Sequence, residues 1–135
     1  MAHIGDDILL YEAELPQGYQ AAACTSLAVD TIWQAVTGPG TDYSFDTVLA
    51  DADGQGKANY NHDFVIPSSR WQAGSFYEEQ RAVPVPCDVP PGSYSLLFKV
   101  YDDRNAGVAL PVQSPISLPD DRYFYVTTVQ VTLPR

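Results

Sequence analysis

One alternating run limits the fold of this chain more than any other feature. From Tyr94 to Val100 every second side chain is large and apolar, and the residues between them are more mixed. Side chains alternate across a β-strand, so one set can face a core while the other faces solvent or a neighbour. The preceding Pro90-Pro91-Gly92 is turn chemistry, and Asp102-Asp103 ends the run. The segment is predicted to be a strand between two turns.

Similar runs recur along the chain, and each is bounded by Gly, Pro or Asp-Gly. They cover residues 8–15, 27–36, 43–50, 57–65, 77–85, 108–112 and 123–133, whereas residues 20–24 could form a helical turn. Turn signals at intervals of about 8–12 residues are typical of an antiparallel sandwich. The prediction is therefore an all-β fold, a single antiparallel β-sandwich that is Ig-like or jelly-roll-like, with about seven to nine strands.

Length and composition fit one domain. The chain has 135 residues, and 45% of them are hydrophobic. A chain of this length and composition can build a core without support from metals or disulfide bonds. Residues 1–135 are expected to form a single domain, in which residues 1–6 are a flexible start or a remnant of expression. No apolar run approaches the roughly 20 residues of a membrane span, so direct membrane insertion is not expected. The first residues also lack the pattern of a signal peptide.

The net charge is strongly negative. Seventeen acidic residues against seven basic ones give a formal net charge of −10. Binding to nucleic acid or to an anionic membrane needs a surface rich in Lys and Arg, so both are excluded as expected partners. The acidity favours solubility, and cation binding is the sharper alternative.

Two cysteines, Cys24 and Cys87, allow one disulfide. An oxidising compartment would favour the bond, but separation along the sequence says nothing about the distance between the two Cα atoms. No matching cluster of His and Cys accompanies them, which argues against a zinc site. The sequence therefore allows a bond between the two cysteines but does not decide whether it forms.

The order of short motifs resembles a known family. The motifs are Ile32-Trp33-Gln34-Ala35, Asp42-Tyr43, Asp51-Ala52-Asp53-Gly54, Trp71-Gln72-Ala73-Gly74, Val85 to Tyr94, Val100-Tyr101-Asp102 and Leu110 to Val112. In this order they are similar to the extracytoplasmic C-terminal β-sandwich domains of multispanning bacterial membrane glycosyltransferases of the dolichyl-phosphate-mannose mannosyltransferase type. The resemblance implies an extracytoplasmic or secreted, noncatalytic module that handles carbohydrate, without active-site residues.

Asp51, Asp53 and Asp63 are the candidate metal ligands. Asp51-x-Asp53-Gly54 resembles the start of a calcium loop, but Gly54 stands at the fourth position and His62 at the twelfth, where an EF-hand loop needs other residues. Asp-Gly is a strong hairpin signal, so a turn is the leading interpretation. A looser calcium site could still form if folding brought in Asp63 or aspartates of other loops. No cofactor is expected, with calcium as the open alternative.

Aromatic and amide side chains are the candidate sugar ligands. An exposed ring can stack on the apolar face of a sugar, while amides bond its hydroxyls. Trp33 alternates with Leu27 and Val29, which favours core packing. Trp71 follows a Pro-Ser-Ser loop and could be either a core plug or an exposed platform. The remaining candidates are Tyr123, Tyr125, Asn59 and Asn61.

No catalytic constellation is visible. His62 adjoins Asp63, but no Ser or Cys is placed as a nucleophile. Glu78 and Glu79 point to opposite faces of a strand and cannot act as an acid–base pair. The predicted function is a noncatalytic accessory or binding module and not an enzyme, with carbohydrate as its candidate ligand. The alternative is a structural or assembly module, calcium-stabilised or not, whose partner is a parent or partner protein.

Overall fold

The computed structural model describes residues 2–102, 108–113 and 122–134. Within these ranges it contains eleven strands and one short 3-10 helix, Ser68–Arg70. The strands are β1 (Ala2–Ile4), β2 (Ile8–Glu14), β3 (Gln20–Ala22), β4 (Thr25–Ala35), β5 (Tyr43–Ala50), β6 (Gly56–Asp63), β7 (Phe76–Val85), β8 (Gly92–Asp102), β9 (Val108–Ala109), β10 (Val112–Gln113) and β11 (Phe124–Thr132). In the described ranges no helix is long and apolar enough to cross a membrane.

The strands form two sheets. Sheet A has the order β10-β1-β2-β4-β7, and sheet B has the order β3-β11-β8-β5-β6 with β9 paired to β8. Neighbouring strands are antiparallel except β3, which runs parallel to β11. The prediction of an all-β sandwich is confirmed. The strand count exceeds the predicted one because β1, β3, β9 and β10 have only two or three residues each.

Alternation along the longer strands builds the core between the sheets. Every second side chain of β8 from Tyr94 to Val100 is buried, whereas the side chains at the alternate positions are only half-buried. Trp33 has no exposed surface and packs its ring against Phe45 and Phe64, so the prediction of core packing for Trp33 is confirmed. The burial pattern follows directly from the two-residue period of a strand.

The Pro-Pro-Gly turn before β8 has a specific contact. The Tyr94 hydroxyl donates to the carbonyl oxygen of Pro90 at 2.5 Å. This bond ties the buried ring at the start of β8 back to the turn that precedes it. The turn therefore both ends the previous segment and aims the strand into sheet B.

Two local predictions need correction. Residues 1–6 were expected to be a flexible start, but Ala2–Ile4 form β1 between β2 and β10, with Ala2 and Ile4 buried. The helical turn that residues 20–24 could form is absent, since Gln20–Ala22 form β3, whose pairing with β11 outweighs the helical propensity of three alanines. The predicted loop from Ser114 to Asp121 lies outside the described residues.

Cys24 and Cys87 form a disulfide with a Cα–Cα distance of 4.2 Å. Cys24 follows β3 of sheet B and precedes β4 of sheet A, and Cys87 lies between β7 of sheet A and β8 of sheet B. The bond therefore joins two connections that each pass from one sheet to the other.

Candidate ligand-binding groove

A groove of about 740 Å³ lies on the outer face of sheet B. Its floor comes from β5 and β8, one wall from the segment that leads into and along β11, and the other from the β5–β6 hairpin and β6. The lining residues are Val48, Ala50, Asp51, Ala52, Asp53, Gly54, Gly56, Lys57, Ala58, Asn59, Ser95, Leu97, Tyr123 and Tyr125. A volume of this size is typical of small-molecule sites in proteins.

The floor is apolar. Val48 and Ala50 point away from the core, since the alternate positions Phe45 and Leu49 pack inward, yet they are only 6% and 3% exposed. Leu97 lies directly opposite Val48 on β8 and faces the same way. The central position of β5 between β8 and β6, with raised walls on both sides, shelters these side chains from bulk solvent.

The aromatic wall consists of Tyr123 and Tyr125. The hydroxyls of Tyr125 and Thr128 share a hydrogen bond of 2.7 Å. The Nζ of Lys99 lies 4.4 Å from the centroid of the Tyr123 ring, which is a cation–π contact. The ladder between β11 and β8 shifts register between Tyr125 and Thr127. The shift places Tyr125 opposite the outward Leu97, although Val129 further along β11 lies opposite the inward Tyr94.

The polar wall is built on the Asp51 turn. One oxygen of the Asp51 carboxylate accepts the backbone N–H groups of Asp53 and Gln55, both at 2.9 Å, and the other lies 3.7 Å from the Nζ of Lys57. The bond from the Gln55 backbone is the main reason that the pKa of Asp51 lies below its ordinary value. Gly54 has a φ of +80°, in the left-handed region where a side chain would be strained. The turn therefore presents an ionised carboxylate at a defined place.

The structure brings together three of the five predicted sugar ligands. Tyr123, Tyr125 and Asn59 line the groove. Asn61 lies two residues further along the same face of β6, where its amide donates to the carboxylate of Asp46 at 2.5 Å. Leu97 and Lys57 also line the groove but were not predicted as ligands. Leu97 could have been identified, because it is an apolar residue at an outward position of the alternating run that begins at Tyr94.

Trp71 is the fifth candidate, and its proposed role as an exposed platform is corrected. It is 3% exposed, its ring stacks on Tyr77 with centroids 4.6 Å apart, and it meets Phe64 edge-on at 4.9 Å. The indole N–H donates to the carbonyl oxygen of Ile66 at 2.8 Å. Burial of both faces leaves no surface for a sugar ring, so Trp71 is a core plug.

The candidate metal ligands do not converge. Asp51 and Asp53 lie in the hairpin before β6, and Asp63 ends that strand, roughly 20 Å away at a rise of about 3.3 Å per residue. Within the described ranges no three His, Cys, Asp or Glu side chains form a group that could hold a metal ion. The proposed site of Asp51, Asp53 and Asp63 is therefore corrected to a hairpin turn. The aspartates at 103, 120 and 121 lie outside the described residues.

Calcium is consequently expected to leave the melting temperature unchanged. Calcium takes about six to eight oxygen ligands, whereas Asp51 offers a single carboxylate, one oxygen of which already accepts two backbone N–H groups. A thermal melt in EDTA, repeated with added CaCl₂ and with MgCl₂ as the control cation, measures this. A rise in the midpoint with calcium alone, reversed by EDTA, would contradict it.

His62 points into the core. Its ring packs edge-on against Phe45 at 3.8 Å, and its Nε2 has no hydrogen-bond partner. Burial, with a further contribution from Arg81, lowers the pKa of His62 to about 4. Nearby Glu79 is 2% exposed, accepts the Val65 N–H at 2.6 Å and pairs with Arg81 at 3.3 Å, and burial raises its pKa.

The pH dependence of stability tests this environment. His62 is neutral in the folded protein but takes a proton near pH 6.5 when unfolded. The free energy that the neutral ring contributes to folding is therefore fully present above pH 6.5 and is lost as the pH falls toward about 4. Between pH 7 and pH 5 the loss is about 1–2 kcal/mol, less than the full shift implies because pH 5 is still above the folded pKa of about 4. Glu79 acts in the opposite sense, because its raised pKa favours the folded state at lower pH.

Urea unfolding at both pH values measures this for the parent and for His62→Gln. The variant is expected to lose less stability on acidification, and Glu79 cancels because both proteins contain it. His3→Gln, on the exposed position of β1, is the matched control. Equal losses in the parent and in His62→Gln would contradict the assignment.

Comparisons with known proteins give the fold class. No protein-family model and no curated protein matches the chain. Among solved structures, it is similar to the C-terminal domain of Wzt, with a TM-score of 0.67 at 12% identity over 100% of this chain and 79% of that one. It is also similar to a Niemann-Pick type C2 protein from Japanese carpenter ant, with a TM-score of 0.52 at 7% identity over 98% and 96% of the two chains.

These likenesses place the chain among β-sandwich domains. At identities of 12% and 7% they show the fold alone. The resemblance to a membrane glycosyltransferase domain is not confirmed by any of the comparisons and stays a prediction.

Proposed function

We propose that this protein is a noncatalytic binding module that recognises carbohydrate in the groove on sheet B. The observation that carries the proposal is the pairing of two walls across an apolar floor: tyrosine rings on one side, and carboxylate, amide and ammonium groups on the other. The β-sandwich fold that it shares with the C-terminal domain of Wzt is compatible with such a module.

The groove chemistry suits an amphipathic ring. A pyranose has an apolar C–H face and a rim of hydroxyls, and tyrosine offers a matching apolar ring with a polar tip. Tyr123 and Tyr125 can stack on the C–H face, while Asp51 and Asn59 accept and donate at the rim. Sites of this kind combine a mainly apolar surface with a few placed polar groups.

The disulfide supports an extracytoplasmic or secreted setting for this module. Both cysteines of the chain are bonded to each other, and such bonds form and persist in oxidising compartments. We infer that the ligand is an oligosaccharide met outside the cytoplasm. A partner protein is the second candidate, and it is favoured by the exposed and touching rings of Tyr11 and Phe76 on sheet A.

Removal of the aromatic wall tests the proposal. In isothermal titration with a panel of neutral and acidic oligosaccharides, the Tyr123→Ala/Tyr125→Ala variant is expected to bind at least roughly tenfold more weakly than the parent, since each good stacking contact contributes about 1 kcal/mol. Its melting temperature should change little, because both rings are only half-buried.

Tyr19→Ala is the matched control. Tyr19 is 59% exposed and does not line the groove, so its loss should leave oligosaccharide affinity unchanged. Failure of every oligosaccharide to bind the parent, or equal binding by the double variant, would overturn the carbohydrate proposal.

A further inference from the structure

Sheet A carries an exposed aromatic pair on the face opposite to the core. Tyr11 on β2 is 44% exposed and Phe76 on β7 is 54% exposed. Their ring centroids lie 5.2 Å apart at an interplanar angle of 78°. The strand between them, β4, contributes the half-buried Ile32 to the same face. Large apolar side chains that touch one another at the surface mark interaction sites more often than isolated ones do.

Four carboxylates lie on one side of this pair, in the next two outward rows of the sheet. Ile32 lies between Glu12 on β2 and Glu78 on β7, and in the next row Glu14 lies directly opposite Asp30. Like charges opposite each other on neighbouring strands destabilise a sheet. None of the outward positions of β2, β4 and β7 is a lysine or an arginine. The face thus combines an exposed aromatic pair with acidic rows beside it that contain no lysine or arginine, and the four carboxylates and the aromatic pair are called the acidic face below.

We propose that the acidic face docks a protein partner that presents lysine or arginine side chains beside an apolar residue. Charge complementarity selects this occupant, because cationic side chains of the partner would relieve the repulsion between Glu14 and Asp30. The exposed rings would supply the buried centre of the contact, where aromatic side chains typically dominate binding. A second copy of this chain is a poor occupant, because each copy carries a net charge of −10.

The acidic face and the groove lie on different sheets. The first is built on β2, β4 and β7 of sheet A, and the second on β5, β6, β8 and β11 of sheet B. A partner on one sheet therefore leaves the other open, so the module could hold an oligosaccharide while it is attached to a basic protein. The docking proposal does not depend on the identity of the groove ligand.

A short synthetic peptide in which lysines flank one tryptophan is the probe. Titration into isotopically labelled protein is expected to move the backbone amide signals of β2, β4 and β7, and affinity should fall as salt rises. A peptide with glutamate in place of lysine should not bind. A peptide with serine in place of tryptophan should bind on the order of tenfold more weakly, since the aromatic anchor is lost.

Two variants assign the contact to named side chains. Phe76→Ser should weaken binding of the lysine–tryptophan peptide on the order of tenfold, as expected for an exposed aromatic anchor, and Glu12→Gln/Glu78→Gln should flatten its salt dependence. Tyr19→Ser and Asp88→Asn, at exposed positions away from the acidic face, are the matched controls and should bind as the parent does.

Several outcomes would overturn the proposal. These are the absence of peptide binding, signal changes confined to the groove, and unchanged affinity in Phe76→Ser. A dimer in sedimentation that Tyr11→Ser abolishes would also overturn it, because the occupant would then be a second copy. Loss of oligosaccharide binding with normal peptide binding would contradict only the groove assignment.

Discussion

Replacing Cys24 and Cys87 by serine is expected to lower the free energy of unfolding by about 4 kcal/mol. The bond closes a loop with a sequence separation of 63 residues, and a cross-link of this span removes much of the conformational freedom of the unfolded chain. The native protein also holds Cys24 at a φ of +68°, an unfavourable backbone conformation that the cross-link helps to maintain. Urea unfolding of the parent and of the double variant measures the difference.

Reduction provides the matched control for this experiment. A thiol reductant should shift the parent toward the unfolding midpoint of the double variant, because both cysteines are exposed to solvent. The same reductant should leave the double variant unchanged. Equal midpoints for the oxidised parent and the double variant would contradict the expectation, and would mean that the ladder between β4 and β7 holds these connections without the bond.

The strands were predictable where the alternation was long. For β5 the predicted and observed bounds agree, and β4, β7, β8 and β11 differ from prediction by only a few residues. Each has eight or more residues, so the two-residue period is repeated often enough to be recognised. The strands β1, β3, β9 and β10 have two or three residues and show no period, and the single strand predicted over residues 108–112 was wrong, because that segment divides into β9 of sheet B and β10 of sheet A. They exist because a neighbouring strand offers backbone partners.

The groove was only partly predictable. Tyr123, Tyr125 and Asn59 were identified by residue type, but their convergence depends on the order β11-β8-β5-β6, which places segments distant in sequence side by side. No local pattern encodes that order. The same limit applied to the disulfide: Cys24 and Cys87 meet because the register of β4 on β7 places Thr25 opposite Val85.

Trp71 was uncertain for a different reason. It follows a polar loop, and exposure was a reasonable expectation for a loop residue. In the structure the segment between β6 and β7 folds back, with a 3-10 turn at Ser68–Arg70, and the buried hydroxyl of Ser68 donates to the carbonyl oxygen of Thr41 at 2.8 Å. This contact fixes the turn after which Trp71, three residues further on, enters the aromatic cluster. Sequence context alone does not reveal such a long-range anchor.

Truncation of this side chain is therefore expected to affect stability and not binding. Trp71→Ala should lower the free energy of unfolding by about 4 kcal/mol, the usual cost of removing a buried Trp or Phe ring from a core. The variant loses the stack on Tyr77 and the edge contact with Phe64, and it leaves the carbonyl of Ile66 without its indole donor. At a temperature where the variant remains folded, its oligosaccharide affinity should equal that of the parent, because Trp71 does not line the groove.

Two further variants make this result decisive. Trp71→Phe keeps an aromatic ring in the cluster but cannot donate to Ile66, so it should be destabilised less than Trp71→Ala. The Tyr123→Ala/Tyr125→Ala variant should show the reverse pattern, with affinity lost and stability kept. If Trp71→Ala instead lost oligosaccharide binding at an unchanged unfolding midpoint, Trp71 would have to be accessible to the sugar. The separation of core and binding surface across the two faces of sheet B would then be wrong.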